Sequence, residues 1–321
     1  MIRKILQLIE KNRRFLVASH RNPDGDAIAS TLALGNALRE MGKEVTTYNA
    51  DPVPLSLSFL PGTDSMRHEL EEDQFFFDVG FILDSGDLSR AGEHLAKVCR
   101  TLVNIDHHRN SEIFCEVNFL DPGASATGTL IYRLLKSLPG YRFTAEVASC
   151  IYTAILADTG AFRFGNTDGE SFRIASEMLE TGIDPAEIAS QFYENQEARG
   201  LRLLARALSS LKVSEDGRVA SVVVTLEEMK QTATGPVHTD GFINYPRSIR
   251  GVDVALLFRQ EGDRLFKVGF RSRKGIDVGR VAQELGGGGH TNASGASLEG
   301  TLEDVERIVL EHVREELASV K

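Results

Sequence analysis

LVNIDHH, residues 102–108, is an apolar run that ends in one carboxylate and two imidazoles. The run has the length of a β-strand, and the polar residues that follow indicate a buried strand whose last residues emerge at the edge of a sheet. In open α/β sheets, ligands bind at that edge. Successive side chains of an extended segment point to opposite faces, so one of His107 and His108 suits a metal and the other a substrate. Alone, two adjacent histidines on a loop are more often solvated surface than a metal site.

A second apolar segment, residues 15–19, ends in a similar way. His20, Asp24 and Asp26 follow it within a turn that contains proline and glycine, and the spacing His-x3-Asp-x-Asp allows three ligands to converge. Asp24 or Asp26 also suits the N-cap of a helix that begins near Ala27. One aspartate suffices for capping, so that interpretation leaves His20 and the other carboxylate without a role.

Two further apolar segments end in an aspartate. Residues 79–83 precede Asp84, and residues 151–157 precede Asp158. Such an aspartate is usually a turn residue or a helix cap, but four segments with polar endings of this kind in one domain are hard to assign to turns. If the strands are parallel, their carboxyl ends meet on one side of the sheet, and we expect the ligands to gather there.

The candidate ligands are too many for one ion. They are Asp24, Asp26, Asp84, Asp158, His20, His107 and His108. Carboxylate oxygens mixed with imidazole, without cysteine, favour manganese or a similar divalent ion over structural zinc. Two ions about 3.5 to 4 Å apart, with a carboxylate between them, form the usual clamp for phosphoester hydrolysis, in which a bound hydroxide is the nucleophile.

Four motifs in order resemble those of the DHH phosphoesterase superfamily, which includes RecJ-like nucleases and family II inorganic pyrophosphatases. The motifs are SHRNPDGDA (19–27), ILDSGD (82–87), NIDHH (104–108) and ADTGAFRF (157–164). The resemblance implies two Mn²⁺ ions, with Mg²⁺ or Co²⁺ as substitutes. It implies that one ion is held by His20, Asp24 and Asp84, and the other by Asp26, Asp84, His107 and Asp158.

The same resemblance implies catalytic roles for three residues. Asp84 would bridge the ions, and Asp106 would orient the metal ligands without binding an ion itself. His108 would contact the phosphoryl group or protonate the leaving oxygen. One departure is Thr129, where many relatives have a glutamate. If that glutamate orders the metal-site histidines, we expect its loss to have a modest effect.

The C-terminal half contains the glycine run 286–289, followed by His290 and Asn292. Without side chains, its backbone amides can approach an anion closely. A bare glycine run is more often a flexible linker or a simple turn. This run follows a predicted helix over 278–285 and precedes a short apolar segment, and a linker has no purpose inside such a folded region.

Two predicted strands, 252–258 and 265–270, lie upstream of this run and lead into Arg271-Ser272-Arg273-Lys274. These cations suit a solvated surface patch, and they equally suit phosphate recognition beside a glycine loop. The pattern FRSRKG followed by GGGGHTNASGA resembles the DHH-associated C-terminal domain and separates the chain from the pyrophosphatases. The implied substrate-binding residues are Arg271, Ser272, Gly287, Gly288, Gly289, His290 and Asn292.

Length and composition are typical of a soluble protein of two domains: 321 residues, 42% hydrophobic and 26% charged. The net charge of −10 argues against a broad surface for long nucleic acid, although a local cation cluster suits short substrates. Three cysteines, Cys99, Cys115 and Cys150, predict no disulfide framework. No apolar stretch is long enough to cross a membrane, and the N-terminus predicts an amphipathic helix without a cleavage site, so we expect a cytoplasmic protein.

Periodicity predicts an α/β fold with a parallel sheet. The predicted strands are 14–19, 44–49, 79–83 and 101–105, and the predicted helices are 27–42, 88–98, 125–137, 144–157, 168–182 and 185–212. We expect a catalytic DHH domain with flanking helices over 1–190, a linker helix over 191–214, and a smaller α/β substrate-binding domain with a mixed sheet over 215–321.

The predicted function is that of a manganese-dependent phosphodiesterase and phosphatase, similar to bifunctional oligoribonucleases that act on short oligonucleotides and on 3′-phosphoadenosine 5′-phosphate. One alternative is a phosphodiesterase for cyclic or linear dinucleotides. Another is a nucleotide-binding regulator without catalysis. An exonuclease for long single strands is disfavoured, because such enzymes carry further domains. By analogy with relatives we also expect a homodimer.

Overall fold

The computed structural model describes residues 1–70, 76–273 and 275–319. Lys274 and the side chain of His290, both predicted near the substrate, lie outside the described residues. The chain divides into two compact units, Met1–Asn195 and Gln196–Lys321. None of the described helices is long and apolar enough to cross a membrane.

Unit 1 contains a five-stranded sheet, and all of its strands are parallel. The strands are β1 (Arg14–Ser19), β2 (Glu44–Tyr48), β3 (Phe77–Leu83), β4 (Cys99–Asp106) and β5 (Val117–Leu120). Their spatial order is β2-β1-β3-β4-β5. The predicted parallel α/β domain is therefore confirmed, and β5 is an edge strand that the periodicity did not indicate.

Helices of unit 1 follow the predicted alternation. They are α1 (Ile2–Lys11), α2 (Gly25–Glu40), α3 (Leu88–Ala91), α4 (Leu95–Val98), α5 (Thr127–Lys136), α6 (Ala145–Asp158), α7 (Gly169–Leu179) and α8 (Pro185–Tyr193). Short 3-10 turns cover Leu55–Leu57 and Thr63–Ser65. The single helix predicted over 88–98 is wrong, because Gly92, with a φ of +126°, interrupts it.

Both faces of the central strands are buried. Phe15, Phe81 and Val103 belong to the core that contains α2, α5 and α6, whereas Leu16 and Ile82 pack in a second cluster with α3 and α4. This burial explains why the strands are continuous apolar runs without alternation.

Asp158 follows a helix, and not a strand like the other three candidate segments. It is the last residue of α6, which confirms the helix predicted over 144–157 and in which every residue from 150 to 156 is buried. The apolar run 151–157 taken alone cannot be assigned to a strand or a helix, because all of its sides are covered.

The helix predicted over 185–212 is also interrupted. α8 ends at Tyr193 and α9 spans Ala198–Ser209, with four polar residues between them. The boundary between the two units falls within this interruption, so a single linker helix is wrong. The functional domain limits at 190 and 214 stay predictions.

Unit 2 contains a mixed six-stranded sheet, as the sequence predicted. Its strands are β6 (Lys212–Val213), β7 (Val219–Val224), β8 (Val254–Gly262), β9 (Leu265–Ser272), β10 (Gly288–His290) and β11 (Ala293–Glu299), in the order β10-β11-β9-β8-β7-β6. Only β7 and β8 pair in parallel among the described strands of this sheet.

The other helices of unit 2 are α10 (Leu226–Gln231), α11 (Asn244–Ser248), α12 (Val278–Glu284) and α13 (Leu302–Ser319), and Pro236–Thr239 forms a 3-10 turn. One face of the sheet forms a core with α12 and α13, in which Phe258, Phe270 and Val309 are buried. This core is separate from that of unit 1.

The glycine run is only partly a loop. Gly286, with a φ of +77°, follows the end of α12, and Gly288–His290 then forms β10, which pairs with β11. The amide of Gly287 donates to the carbonyl of Ala282 at 2.7 Å. A Cβ atom on Gly287 would overlap the carbonyl oxygen of Gly295 on β11. The predicted glycine loop is therefore a β-strand over Gly288–His290, and close packing of backbone on backbone is one reason for the glycines.

We expect Gly287→Ala to lower the free energy of unfolding of unit 2 by about 1 to 3 kcal/mol, because the new methyl group meets rigid backbone. Gly288→Ala is the matched control, since a Cβ there meets no atom within 4 Å. Urea unfolding followed by circular dichroism would measure both. Equal stability of the two variants would contradict the packing explanation.

Candidate metal centre

Three strand ends bring polar residues to one level of the sheet. β1, β3 and β4 pair in register at their carboxyl ends, so His20, Asp84 and Asp106 lie in one row. Asp84 has a φ of +54°, an uncommon conformation for a residue other than glycine. Such strain persists where the surrounding structure determines it, and it is concentrated at functional sites.

Asp24 and Asp26 lie at the beginning of α2. Asp24 caps this helix, because its Oδ1 accepts from the amide of Ala27 at 3.1 Å. The capping role that the sequence left open thus belongs to Asp24. The turn is held against α6, since a Cβ atom on Gly25 would overlap that of Ala157.

The predicted ligands gather in three overlapping groups. In each group the ligand atoms lie within 4.8 Å of one another. The groups are His20, Asp24 and Asp84; Asp84, His107 and His108; and Asp26, His107 and Asp158. Asp84 and His107 each belong to two groups, so the structure brings together all seven residues that the sequence singled out.

Backbone carbonyls orient two of the imidazoles. Nδ1 of His20 lies 2.8 Å from the carbonyl oxygen of Arg21, and Nδ1 of His107 lies 3.2 Å from that of Ala124. With the proton on Nδ1 in each ring, the lone pair of Nε2 can bind an ion that the neighbouring carboxylates also bind. Histidines that bind metals are commonly oriented by this kind of contact.

Distances within the cluster suit ions between the donors. Nε2 of His20 lies 3.5 Å from Oδ2 of Asp84, and Nε2 of His107 lies 3.7 to 3.8 Å from oxygens of Asp84, Asp26 and Asp158. Two ligand atoms that share an ion at roughly 2.1 Å are separated by about 3 to 4 Å. The donor set, mainly carboxylate with imidazole, also fits a divalent ion such as manganese.

The electrostatics of the metal-free cluster favour added positive charge. Burial and the neighbouring Asp84 raise the pKa of Asp26 well above its usual value. Burial also raises the pKa of Asp158, opposed by His107 and reinforced by Asp24, to about 6. Burial opposes protonation of His107, but the surrounding aspartates outweigh it and raise its pKa to about 9. The site therefore retains protons that cations would displace.

His108 and Asp106 form a pair. Nδ1 of His108 lies 2.6 Å from Oδ1 of Asp106, and the backbone amide of His108 contacts the same oxygen at 3.2 Å. Asp106 is fully buried. Burial opposes protonation of His108, but the hydrogen bond with Asp106 raises its pKa overall. The carboxylate thus fixes the orientation of the ring and favours its protonated form.

Sequence reasoning missed Thr127. Its hydroxyl donates to Oδ1 of Asp84 at 2.9 Å, and its amide donates to Oδ2 of Asp26 at 2.6 Å. The amide of Gly128 donates to Oδ1 of Asp26 at 3.0 Å. Ala126 occupies the N-cap of α5, a position where a polar residue is expected. This alanine was the available signal, because it indicates that another part of the chain caps the helix. The cap is Asp26, which lies 100 residues before Ala126 in the sequence.

In unit 2, two predicted substrate residues bond to each other. Nδ2 of Asn292 donates to Oγ of Ser272 at 2.9 Å and to the carbonyl of Arg273 at 2.9 Å. Arg271 lies on β9 opposite Ala293 of β11. Substrate binding by the residues of unit 2 stays a prediction.

Thr129, where the resemblance led us to expect a glutamate, lies within unit 1. It is buried, and its hydroxyl lies 2.9 Å from that of Ser125. The hydroxyl pair satisfies both side chains within the protein interior, so the threonine has a hydrogen-bonding partner of its own at this position.

Comparison with known proteins agrees with this geometry. Residues 14–155 match the model of the DHH family, N-terminal domain, and residues 218–319 match that of the DHHA1 domain. The chain belongs to the DHH family. It is 35% identical, over 99% of its length and 94% of the relative's, to a protein of Thermus thermophilus named bifunctional oligoribonuclease and PAP phosphatase NrnA. The resemblance inferred from the four motifs is confirmed.

Solved structures extend the comparison. The chain is 31% identical to an exopolyphosphatase-related protein of Bacteroides fragilis, with a TM-score of 0.91 over 98% of this chain and 95% of that one. A structure of exonuclease RecJ bound to manganese has a TM-score of 0.53 at 16% identity, over 100% of this chain and 95% of that one. The similarity to RecJ shows a shared fold and nothing beyond it.

We expect Thr127→Val to weaken manganese binding about 10- to 100-fold, because Asp84 loses a donor that holds one of its oxygens. Thr127→Ser should restore binding. Thr153→Val is a matched control, since its buried hydroxyl has no partner among the described residues. Calorimetric titration with Mn²⁺ would measure the affinities, and an unaltered affinity for Thr127→Val would contradict this role.

We expect Asp158→Asn to raise the melting temperature of the metal-free protein at pH 7 to 8 by roughly 1 to 4 °C. The folded-state pKa is raised, so the ionised form is destabilising above about pH 6, and a neutral amide removes that cost while still accepting from Asn166. The same variant should lose most of the stabilisation by manganese. Asp121→Asn, which removes an ion pair with Arg133, should instead lower the melting temperature. A lower melting temperature for Asp158→Asn would contradict the prediction.

Proposed function

We propose that this protein is a metal-dependent phosphoesterase that hydrolyses short oligonucleotides and removes the 3′-phosphate of 3′-phosphoadenosine 5′-phosphate. The observation that carries the proposal is the position of Asp84, which groups with His20 and Asp24 and also lies 3.7 Å from Nε2 of His107, a member of the group with Asp26 and Asp158. A shared carboxylate is what a pair of adjacent divalent ions requires. The name of the Thermus thermophilus relative, which this chain matches along almost its whole length, supports the choice of substrates.

The candidate ligands would hold two ions. His20, Asp24 and Asp84 would hold one ion, and Asp26, Asp84, His107 and Asp158 the other. When bound, the ions would supply an activated water and neutralise charge on the phosphoryl oxygens.

His108 would donate a proton to the leaving oxygen. Asp106 holds Nδ1 of His108, and the proton would be donated from Nε2. The raised pKa of His108 supports the role of an acid at neutral pH.

We propose manganese as the ion, with magnesium or cobalt as substitutes. The mixture of imidazole and carboxylate donors supports this choice, and so does the manganese bound by exonuclease RecJ, which shares the fold. Binding of the far end of the substrate by Arg271, Ser272, Asn292 and the segment 287–290 is part of the same proposal. A homodimer and a cytoplasmic location stay predictions.

The test is hydrolysis with added Mn²⁺ of a substrate panel by the wild type and by Asp84→Asn. The panel contains a diribonucleotide, a longer oligomer, 3′-phosphoadenosine 5′-phosphate and cyclic diadenylate. We expect turnover of the diribonucleotide and the bisphosphate, and a loss of about a thousandfold or more in Asp84→Asn, because both ions lose a ligand.

Asp87→Asn is the matched control. It lies on the same loop, and an asparagine can still cap α3, so activity should be retained. Preferred turnover of cyclic diadenylate would replace the proposed substrates with cyclic dinucleotides. Binding of nucleotides without any turnover would favour a regulator that does no chemistry.

A further inference from the structure

An aromatic cluster follows Asp158 and has no role in the proposed chemistry. The rings of Phe162 and Phe172 are stacked, with their centroids 5.0 Å apart and an interplanar angle of 22°. Tyr152, which is buried, packs against Phe162 at 6.3 Å. Phe172 is 55% exposed, although a phenylalanine stabilises the protein most when it is buried.

Strained backbone holds this cluster in position. Ala161 and Phe162 both have positive φ values, 60° and 61°. Two consecutive residues other than glycine rarely adopt this conformation, which costs roughly 1 to 3 kcal/mol at each. Hydrogen bonds compensate: the amide of Ala161 donates to the carbonyl of Leu156 at 2.8 Å, and that of Phe162 to the hydroxyl of Thr159 at 3.0 Å.

The cluster is close to the candidate metal centre. Phe162 lies four residues after Asp158, a separation that the chain can span by at most roughly 14 Å. Four residues after Phe162, Nδ2 of Asn166 donates to Oδ2 of Asp158 at 3.0 Å and to the carbonyl of Ser125 at 2.9 Å. The loop 158–166 therefore both begins and is anchored at the centre.

A cation accompanies the aromatic rings. Arg163 is exposed, and its Nε donates to the carbonyl of Gly160 at 2.7 Å, which fixes the base of the guanidinium on the same loop. Arg163 directly follows Phe162 in the chain, and in a protein with a net charge of −10 this cation is not part of a general basic surface. Stacking rings combined with cationic side chains are how proteins bind single-stranded nucleic acids.

We propose that the Phe162–Phe172 pair is a stacking platform for a nucleobase, and that Arg163 contacts the adjoining phosphate. The ligand is a short single-stranded oligonucleotide whose scissile phosphate lies at the metal centre, so the inference rests on the proposed function. Because every base has a flat aromatic face, such a platform accepts different sequences. It discriminates against phosphoesters that carry no base at this position.

The test compares Phe172→Ala with the wild type on diribonucleotides and on the same compounds with either base removed. We expect Phe172→Ala to lower kcat/KM for the intact compound about 5- to 100-fold. For the compound that lacks the stacked base, the wild type and the variant should be equal. Phe172→Tyr should retain activity, whereas Phe172→Leu, which is apolar but cannot stack, should not.

Phe76→Ala is the matched control. Phe76 is another exposed phenylalanine of unit 1, 46% exposed, with the guanidinium of Arg100 over its ring. We expect this variant to hydrolyse all compounds as the wild type does. An equal loss for intact and abasic compounds in Phe172→Ala would mean that the ring serves packing, and it would overturn the proposal.

A binding measurement separates this inference from the proposed function. A dinucleotide that contains 2-aminopurine and a linkage resistant to hydrolysis should lose fluorescence on stacking when it binds the magnesium-loaded wild type, and less so with Phe172→Ala. If the wild type hydrolyses nothing but quenches the probe in this way, the platform stands and the phosphoesterase proposal fails. If the wild type hydrolyses dinucleotides and Phe172→Ala quenches the probe equally well, the platform fails alone.

Discussion

Repulsion among the carboxylates around Asp84 is the constraint on which the site depends. Burial opposes the charge of Asp84, but His20, His108 and His107 outweigh it and bring its pKa far below the usual range. Burial and the neighbouring charge of Asp84 instead raise the pKa of Asp26. The cluster therefore combines one carboxyl group whose pKa is lowered, that of Asp84, with neighbours whose pKa is raised and which would release protons when cations bind.

Hydrogen bonds that the fold directs at the carboxylates offset part of this repulsion. A parallel sheet brings three strand ends into one row, and the N-terminus of α5 directs two amides and one hydroxyl at Asp26 and Asp84. Close helix packing makes this geometry possible, because a Cβ atom on Gly128 would overlap that of Ala154 on α6. The small residues at this contact allow α5 and α6 to pack closely, and this packing places the amide donors of α5 against the carboxylates.

The sequence predicted the parallel sheet, the mixed second sheet and the clustering of all seven candidate ligands. Strand ends are predictable because apolar runs stop abruptly at polar residues, and parallel topology brings those ends together. Thr127 was missed because its partners are distant in sequence, and the alanine at the N-cap of α5 indicates a cap from elsewhere without showing which residue supplies it. The helix that ends at Asp158 was predicted over 144–157, although the short apolar run before Asp158 had been grouped with strand ends, because such a run by itself does not distinguish the two. The glycine run was taken for a loop because its packing against β11 is a tertiary constraint.

Each proposed ligand has a structural anchor of its own. Asp24 caps α2, Asp26 binds the amides of α5, and backbone carbonyls hold the rings of His20 and His107. The ligands are consequently fixed by hydrogen bonds within the protein in addition to any bond with an ion. A substitution at one of these positions therefore removes an internal contact of the fold together with a metal donor, so stability and metal affinity are expected to change together.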